Sequence, residues 1–284
     1  MDIIRSVSEM QQWTSSIRAT GKTISFVPTM GFLHQGHLSL LQEGRERGDF
    51  LVLSIFVNPT QFGQGEDFVD YPRDLKKDCE IAQQADVDII FAPEAKDMYP
   101  NGYATDVDVE GITETLCGTS RPGHFRGVCT VVSKLFNIVQ PHVAIFGRKD
   151  FQQLAVIKRM TLDLNMLVDI LGMPIFREAD GLAMSSRNVY LSADHRQQAL
   201  VLSQSLAQAK ELVDRGETDC AAIISQVKKT ISQQPDPRID YVQICHQLTL
   251  EDQSHVDSDS VLLLAVYFDK TRLIDNGFLV STHD

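Results

Sequence analysis

"VPTMGFLHQGHLSLL", residues 27–41, decides how the rest of this chain is read. Just before it, "TISFVPT" (23–29) has the continuous apolar character of a strand buried on both faces. At its end, "HLSLLQEGRERG" (37–48) sets Leu38, Leu41 and Gly44 near one helical face. The stretch is therefore a turn in which a strand becomes a helix. Gly31 permits positive φ there, and Gly36 lets the helix backbone approach a ligand or the sheet closely. A helix start offers unpaired N–H groups and the positive end of its dipole, which suits phosphate. His34 and His37, one turn apart, can both face that phosphate and stabilise charge building at an attacked phosphorus. Spacing alone leaves open a pair of ordinary surface or core histidines. Zinc lacks a third His, Cys or carboxylate placed nearby.

Outward from this turn, apolar runs alternate with amphipathic ones. "FLVLSIFVN" (50–58), "VDIIFAP" (87–93) and "HVAIFG" (142–147) read as strands. "LKKDCEIAQQA" (75–85), "VCTVVSKLFNIVQ" (128–140) and "DFQQLAVIKRMTLDL" (150–164) read as helices. Apolar strands separated by helices predict a parallel sheet covered on both faces. After about residue 175 the order changes. Helices over 193–216, with Ser192 as N-cap and Gly216 as stop, and over 219–234 precede strands at 239–246 and 260–275. The expectation is an α/β domain over residues 1–175 and a smaller α+β domain over 176–284.

Composition narrows the function classes. Apolar residues make up 43% and charged residues 23% of 284, as in ordinary globular proteins. The net charge of −12 argues against nonspecific nucleic-acid binding, which needs a basic footprint. The five cysteines have no CxxC spacing and read as thiols of a reducing compartment. The N-terminus lacks the pattern of a signal peptide and no apolar run reaches membrane-spanning length, so a cytoplasmic location is expected.

Further clusters carry polar chemistry. "FGRKDFQQL" (146–154) begins a helix at the carboxyl end of a strand, where open α/β sheets bind ligands. Lys149 can pair with phosphate, Asp150 can cap the helix or hold a ribose or metal, and Gln152 and Gln153 offer amides. "DGLAMSSRN" (180–188) supplies Ser185, Ser186 and Arg187 on a small segment that can close on a triphosphate. "SIFVNPTQFGQGEDFVDYPRD" (54–74) presents Asn58 and Gln61, neutral amides for hydroxyls or a carboxylate. "GTSRPGHFRGVCTVV" (118–132) places Arg121, His124 and Arg126 in a turn that either receives an anion or is structural. Asp78 lies in an acidic helix and can reach Mg²⁺.

Taken together, "FVPTMGFLHQGHLSLL", "SIFVNPTQF", "YPRD", "RPGHFRGVCTVVSKLFNIVQP", "FGRKDFQQL", "DGLAMSSRN" and "TRLIDN" resemble the pantothenate synthetase (pantoate–β-alanine ligase) family, in order, from about residue 24 to about 276. HxGH is shared with other adenylate-forming enzymes and nucleotidyltransferases. "AMSSR" stands where class I aminoacyl-tRNA synthetases carry a mobile KMSKS-like loop. The resemblance implies a Rossmann-like N-terminal domain, a smaller C-terminal lid and a homodimer. It implies a reaction in which ATP and (R)-pantoate give pantoyl adenylate and pyrophosphate, after which β-alanine attacks to give pantothenate and AMP, with Mg²⁺ as cofactor. It implies an ATP site lined by Met30, Gly31, Phe32, Leu33, His34, Gln35, Gly36 and His37, by Gly147, Arg148, Lys149 and Asp150, by Phe176 through its backbone, and by Met184, Ser185, Ser186 and Arg187. His37 would donate a proton to the leaving pyrophosphate, with His34, Lys149, Ser185, Ser186 and Arg187 supporting the phosphates. Arg148 would act through its backbone. Gln61 and Gln153, beside Asn58, would hold pantoate, and Asp78 would lie near Mg²⁺. A nucleotidyltransferase would need a more cationic second pocket. A tRNA synthetase is disfavoured by the acidic charge, and a binding module would not need two phosphate clusters and an amide pocket.

Overall fold

The computed structural model describes residues 1–280. In chain order it runs β1 (Asp2–Ile4), α1 (Val7–Ala19), β2 (Ile24–Thr29), α2 (Gln35–Arg47), β3 (Phe50–Ile55), α3 (Leu75–Gln84), β4 (Ile89–Phe91), α4 (Ala95–Met98), α5 (Cys117–Ser120), α6 (His124–Val139), β5 (Val143–Gly147), α7 (Phe151–Asp163) and β6 (Asp169–Met173). There follow α8 (Ala193–Ala199), α9 (Val201–Asp214), α10 (Cys220–Ile231), β7 (Pro237–His246), β8 (Ser260–Phe268) and β9 (Thr271–Phe278). Two compact units result. One comprises Met1–Arg148 and Val156–Pro174; the other comprises Lys149–Ala155 and the chain from Ile175 onward. The start of α7 thus groups with the later residues rather than with the sheet.

In the first unit six strands form one parallel sheet in the order β1-β4-β3-β2-β5-β6. Its central strands are largely apolar because helices cover both faces: Ile24, Phe26, Val27, Leu51, Val52 and Leu53 are all fully buried. From β2 the chain winds outward through β3 and β4, then returns to place β5 on the other flank of β2. That reversal is the topological switch point at which open α/β sheets bind ligands. Pairing of β2 with β3 continues to Thr29↔Ile55, whereas pairing of β2 with β5 stops at Phe26↔Ala144. The last three residues of β2 and of β5 therefore part, and a crevice opens at the carboxyl edge.

The second unit has an antiparallel sheet in the order β7-β8-β9. Ile223 and Val227 of α10, Leu206 of α9 and Leu262 and Leu264 of β8 share its core. Two sequence expectations are corrected here. The single strand expected over 260–275 is a hairpin, because Asp269, with φ +53°, and Lys270 make a two-residue turn after the Phe268↔Thr271 pair. The helix expected over 193–216 is two helices meeting at Leu200, although Ser192 caps the first as expected by accepting from His195 N–H at 3.1 Å. Among the described residues no helix is long and apolar enough to cross a membrane.

Candidate active site

Beyond β2 the chain needs five residues to enter α2, and a distant carboxylate shapes them. Gly31 has φ +82° and Phe32 φ +51°, so two successive residues take the left-handed region. Glycine takes it freely, and the strain at Phe32 is offset from α3. Asp78 accepts the N–H of Phe32 at 3.0 Å and of Leu33 at 2.6 Å, one on each carboxylate oxygen. Asp78 is 1% exposed, and burial pushes its carboxyl up while the two amide bonds draw it part of the way back. Asp78 thus templates the loop. Each carboxylate oxygen keeps a second lone pair beyond its amide bond. Among the described residues no group of three or more His, Cys, Asp or Glu side chains is arranged to hold a metal.

His34 is the N-cap of α2 in extended conformation, and Gln35, Gly36 and His37 form its first turn. His37 Nδ1 accepts the His34 N–H at 3.3 Å, the reach-back of a capping box with imidazole in place of the usual carboxylate or amide. With Nδ1 occupied as acceptor, neutral His37 carries its proton on Nε2. The two imidazoles lie together, ring centroids 4.0 Å apart. On the neighbouring strand β5, Gly147 and Arg148 end the sheet. Arg148 Nε donates to the Gly172 carbonyl of β6 at 2.9 Å.

Asn58 and Gln61 follow β3 on a 3₁₀ turn, Pro59–Gln61, and are 1% and 8% exposed. Asn58 Nδ2 donates to Gln61 Oε1 at 3.2 Å and to the Gly127 carbonyl at 3.1 Å. Gln61 Nε2 donates to the Met30 thioether at 3.1 Å, which joins the amide pair to the HxGH turn. The Gln61 carbonyl accepts from His124 Nδ1 at 2.8 Å, and Arg121 reaches His124 Nε2 at 3.1 Å. Arg121 also forms a double hydrogen bond to Glu66 at 2.6 and 2.7 Å, and Arg126 pairs with Asp108 at 2.9 Å. Of the two readings of the 118–132 turn, the structure supports the structural one: Arg121 and His124 brace Gln61 and the 63–66 loop, and Arg126 ties the turn to Asp108.

The second unit contains the remaining expected residues. Lys149 and Asp150 lie in a 3₁₀ turn leading into α7, Gln152 is 4% exposed and Gln153 is half-buried. The Lys149 carbonyl accepts from Asn276 Nδ2 at 3.0 Å. The 176–188 loop closes on itself through an Arg177↔Ala183 bridge and a bond from Met184 N–H to the Phe176 carbonyl at 3.0 Å. Arg177 grips Asp275, 1% exposed on its side chain, at 2.7 and 2.9 Å. Asn188 donates to Glu178 and to the Ala183 carbonyl, and Arg196 pairs with Glu178 and Asp180. Ser185 caps the turn Ser186–Tyr190 by accepting the Arg187 N–H at 3.3 Å. The closing "TRLIDN" thereby gains a physical meaning: Asp275 and Asn276 anchor the segments that carry Phe176 and Lys149. Sequence patterning gave no signal for these roles, because each partner lies about a hundred residues or more away in the chain.

Comparison with known proteins identifies the family. The sequence profile of the family described as pantoate–β-alanine ligase matches residues 2–278. A protein named pantothenate synthetase from Syntrophotalea carbinolica is 57% identical over 281 residues, covering 99% of each chain. The crystal structure of pantothenate synthetase from Thermus thermophilus superposes with a TM-score of 0.93 at 44% identity, covering 99% of this chain and 100% of the other. That of pantoate–β-alanine ligase from Francisella tularensis, complexed with βγ ATP and β-alanine, gives 0.80 at 32% identity with 98% of each covered. The chain belongs to the pantoate–β-alanine ligase family.

Proposed function

We propose a division of labour among these residues for the reaction this chain catalyses, the ATP-dependent condensation of (R)-pantoate with β-alanine to pantothenate through a pantoyl adenylate, with release of AMP and pyrophosphate. One observation carries it. At the carboxyl edge of the first unit, a braced HxGH helix start lies next to an uncharged amide pair, and Gln61 Nε2 links them through Met30. The helix start suits phosphate and the amide pair suits a small hydroxy acid.

A carboxylate is a poor acyl donor because its oxygen would have to leave as oxide. Adenylation makes that oxygen part of a phosphate leaving group. The first step is then electrostatic: charge on the α-phosphate and the departing pyrophosphate must be offset. The α2 amides, His34 and the Nε2–H of His37 meet those phosphates. Lys149, Ser185, Ser186 and Arg187 add cationic and hydroxyl contacts, and residues 147–150 and 184–187 with the Phe176 backbone enclose the nucleotide. Mg²⁺ bound with ATP would offset charge on the phosphates, with Asp78 as the carboxylate near it. Gln61 and Gln153, flanked by Asn58, orient pantoate. The second step needs the β-alanine amine unprotonated and held against the acyl carbon, so positioning dominates. Hydrolysis of the mixed anhydride competes with this step, so water must be kept off it. The enzyme works as a cytoplasmic homodimer, and light scattering would report its mass.

Exchange of labelled pyrophosphate into ATP tests the scheme. Exchange is expected to require pantoate and Mg²⁺ but not β-alanine. His37→Ala and Lys149→Ala should suppress it while circular dichroism stays unchanged. Exchange that needs a phosphorylated acceptor instead, or wild-type rates in both variants, overturns the roles assigned.

A further inference from the structure

We propose that Tyr99 is a positioning residue that sets the hydrogen-bonding sense of the pantoate pocket by locking Asn58, and through it Gln61, in one amide orientation. This rests on the reading that Gln61 contacts pantoate and specifies what Gln61 offers it. Asn58 Oδ1 receives the Tyr99 hydroxyl at 2.7 Å, the Thr60 hydroxyl at 3.0 Å and the Thr60 N–H at 3.4 Å. The Gly127 carbonyl, which can only accept, faces the other end of the amide at 3.1 Å and identifies that end as Nδ2. Nδ2 in turn donates to Gln61 Oε1 at 3.2 Å. With its own oxygen engaged, Gln61 places Nε2 beside Met30, where one N–H meets the thioether and the second remains to donate. The pocket therefore presents an N–H donor, and its ligand must place an acceptor oxygen there: a carboxylate or a hydroxyl oxygen.

Tyr99 provides the shortest of the three contacts to Asn58 Oδ1, and its ring is held in place. Lys134 Nζ lies 4.7 Å from the Tyr103 ring centroid and 5.7 Å from that of Tyr99, and the two rings meet edge-on at 5.1 Å. Burial pushes the Tyr99 hydroxyl up to about 12, so it is a protonated donor throughout any working range. Tyr99 is half-buried and sits 41 residues from Asn58 in the chain, just after α4.

Steady-state kinetics of Tyr99→Phe test this. The variant keeps the ring and removes only the donor. KM for pantoate should rise about tenfold, the size of one hydrogen bond. KM for ATP and the thermal midpoint should stay near wild type. Thr60→Val, which removes a second donor to the same oxygen, should shift pantoate KM in the same direction by less, and it tests the relay if Tyr99→Phe folds poorly. The double variant Tyr99→Phe/Gln61→Ala should match Gln61→Ala alone, because the relay acts only through Gln61; a merely structural effect would add to it. Additive losses, equal losses in ATP KM, or an unchanged pantoate KM in Tyr99→Phe and Thr60→Val alike overturn the proposal. If Gln61→Ala itself leaves pantoate KM unchanged, the pocket assignment is what fails.

Discussion

At Gly31 the backbone takes φ +82°, and a methyl added there would lie 2.9 Å from Asp78 Oδ2 and 3.0 Å from Ile55 Cγ2. Any substitution thus meets two penalties: left-handed strain of about 1–2 kcal/mol and displacement of the carboxylate that holds Phe32 and Leu33. Gly31→Ala is expected to lower unfolding free energy by about 1–2 kcal/mol in urea titrations and to raise KM for ATP severalfold. A variant as stable as the parent would show that the loop does not depend on this conformation. The glycine was legible from its place between strand and helix. Asp78 was legible only as an acidic residue on a helix, because its partners lie 45 and 46 residues earlier. Chemistry suggested a metal ligand. Three-dimensional proximity makes it an acceptor for two amides as well.

Between elements, the decisive contact is the approach of α6 to the turn Pro59–Gln61. A Cβ on Gly127 would lie 2.3 Å from the Thr60 carbonyl oxygen and 2.7 Å from Gln61 N. Helix propensity alone favours alanine over glycine by about 1 kcal/mol. Here the overlap is with backbone, which cannot step aside as a flexible side chain can. Gly127→Ala should therefore destabilise rather than stabilise, by about 1–3 kcal/mol as for overpacked sites, and should weaken pantoate binding by moving Gln61. A gain in thermal midpoint would refute it. The amphipathic stripe of α6 was plain in its sequence, and so were Arg121 and His124 at its start. What those two side chains touch was not, since Glu66 stands 55 residues and the Gln61 carbonyl 63 residues from them. The break at Asp269–Lys270 escaped for a local reason: a single aspartate is a weak turn signal within an otherwise strand-like run.

Across the whole molecule, acid stability follows from carboxylates with opposite shifts. Hydrogen bonds from the Thr23 backbone and Lys22 hold Asp49 at about 2, below its ordinary 3.8. At Glu66 burial pulls upward, but the Arg121 hydrogen bond and charge prevail and keep it below 4.5. Both groups are more acidic folded than unfolded, so their stabilisation is complete above about pH 4.5 and is lost as pH falls through their folded values. Asp78 is raised by burial and acts in the opposite sense, since protonation relieves it. The expected profile, by calorimetry at fixed ionic strength, is a thermal midpoint that declines from about pH 4.5 toward 2. Glu66→Gln should flatten the upper part of that decline, and a decline that begins near neutrality would exclude these groups as its cause. On the same scale, the amino-acid order determined by itself that strands and helices alternate, that a strand hands over to a helix at His34–His37, and that the later third is built differently, because apolar periodicity and turn chemistry are local properties of the chain. Only the folded chain decided that β5 returns beside β2, that Asp78 serves the loop, and that Tyr99, Asn58 and Gln61 form one chain of donors and acceptors. Such pairings depend on where distant segments meet, and hydrogen bonding is too directional and too short in range to leave a trace in periodicity.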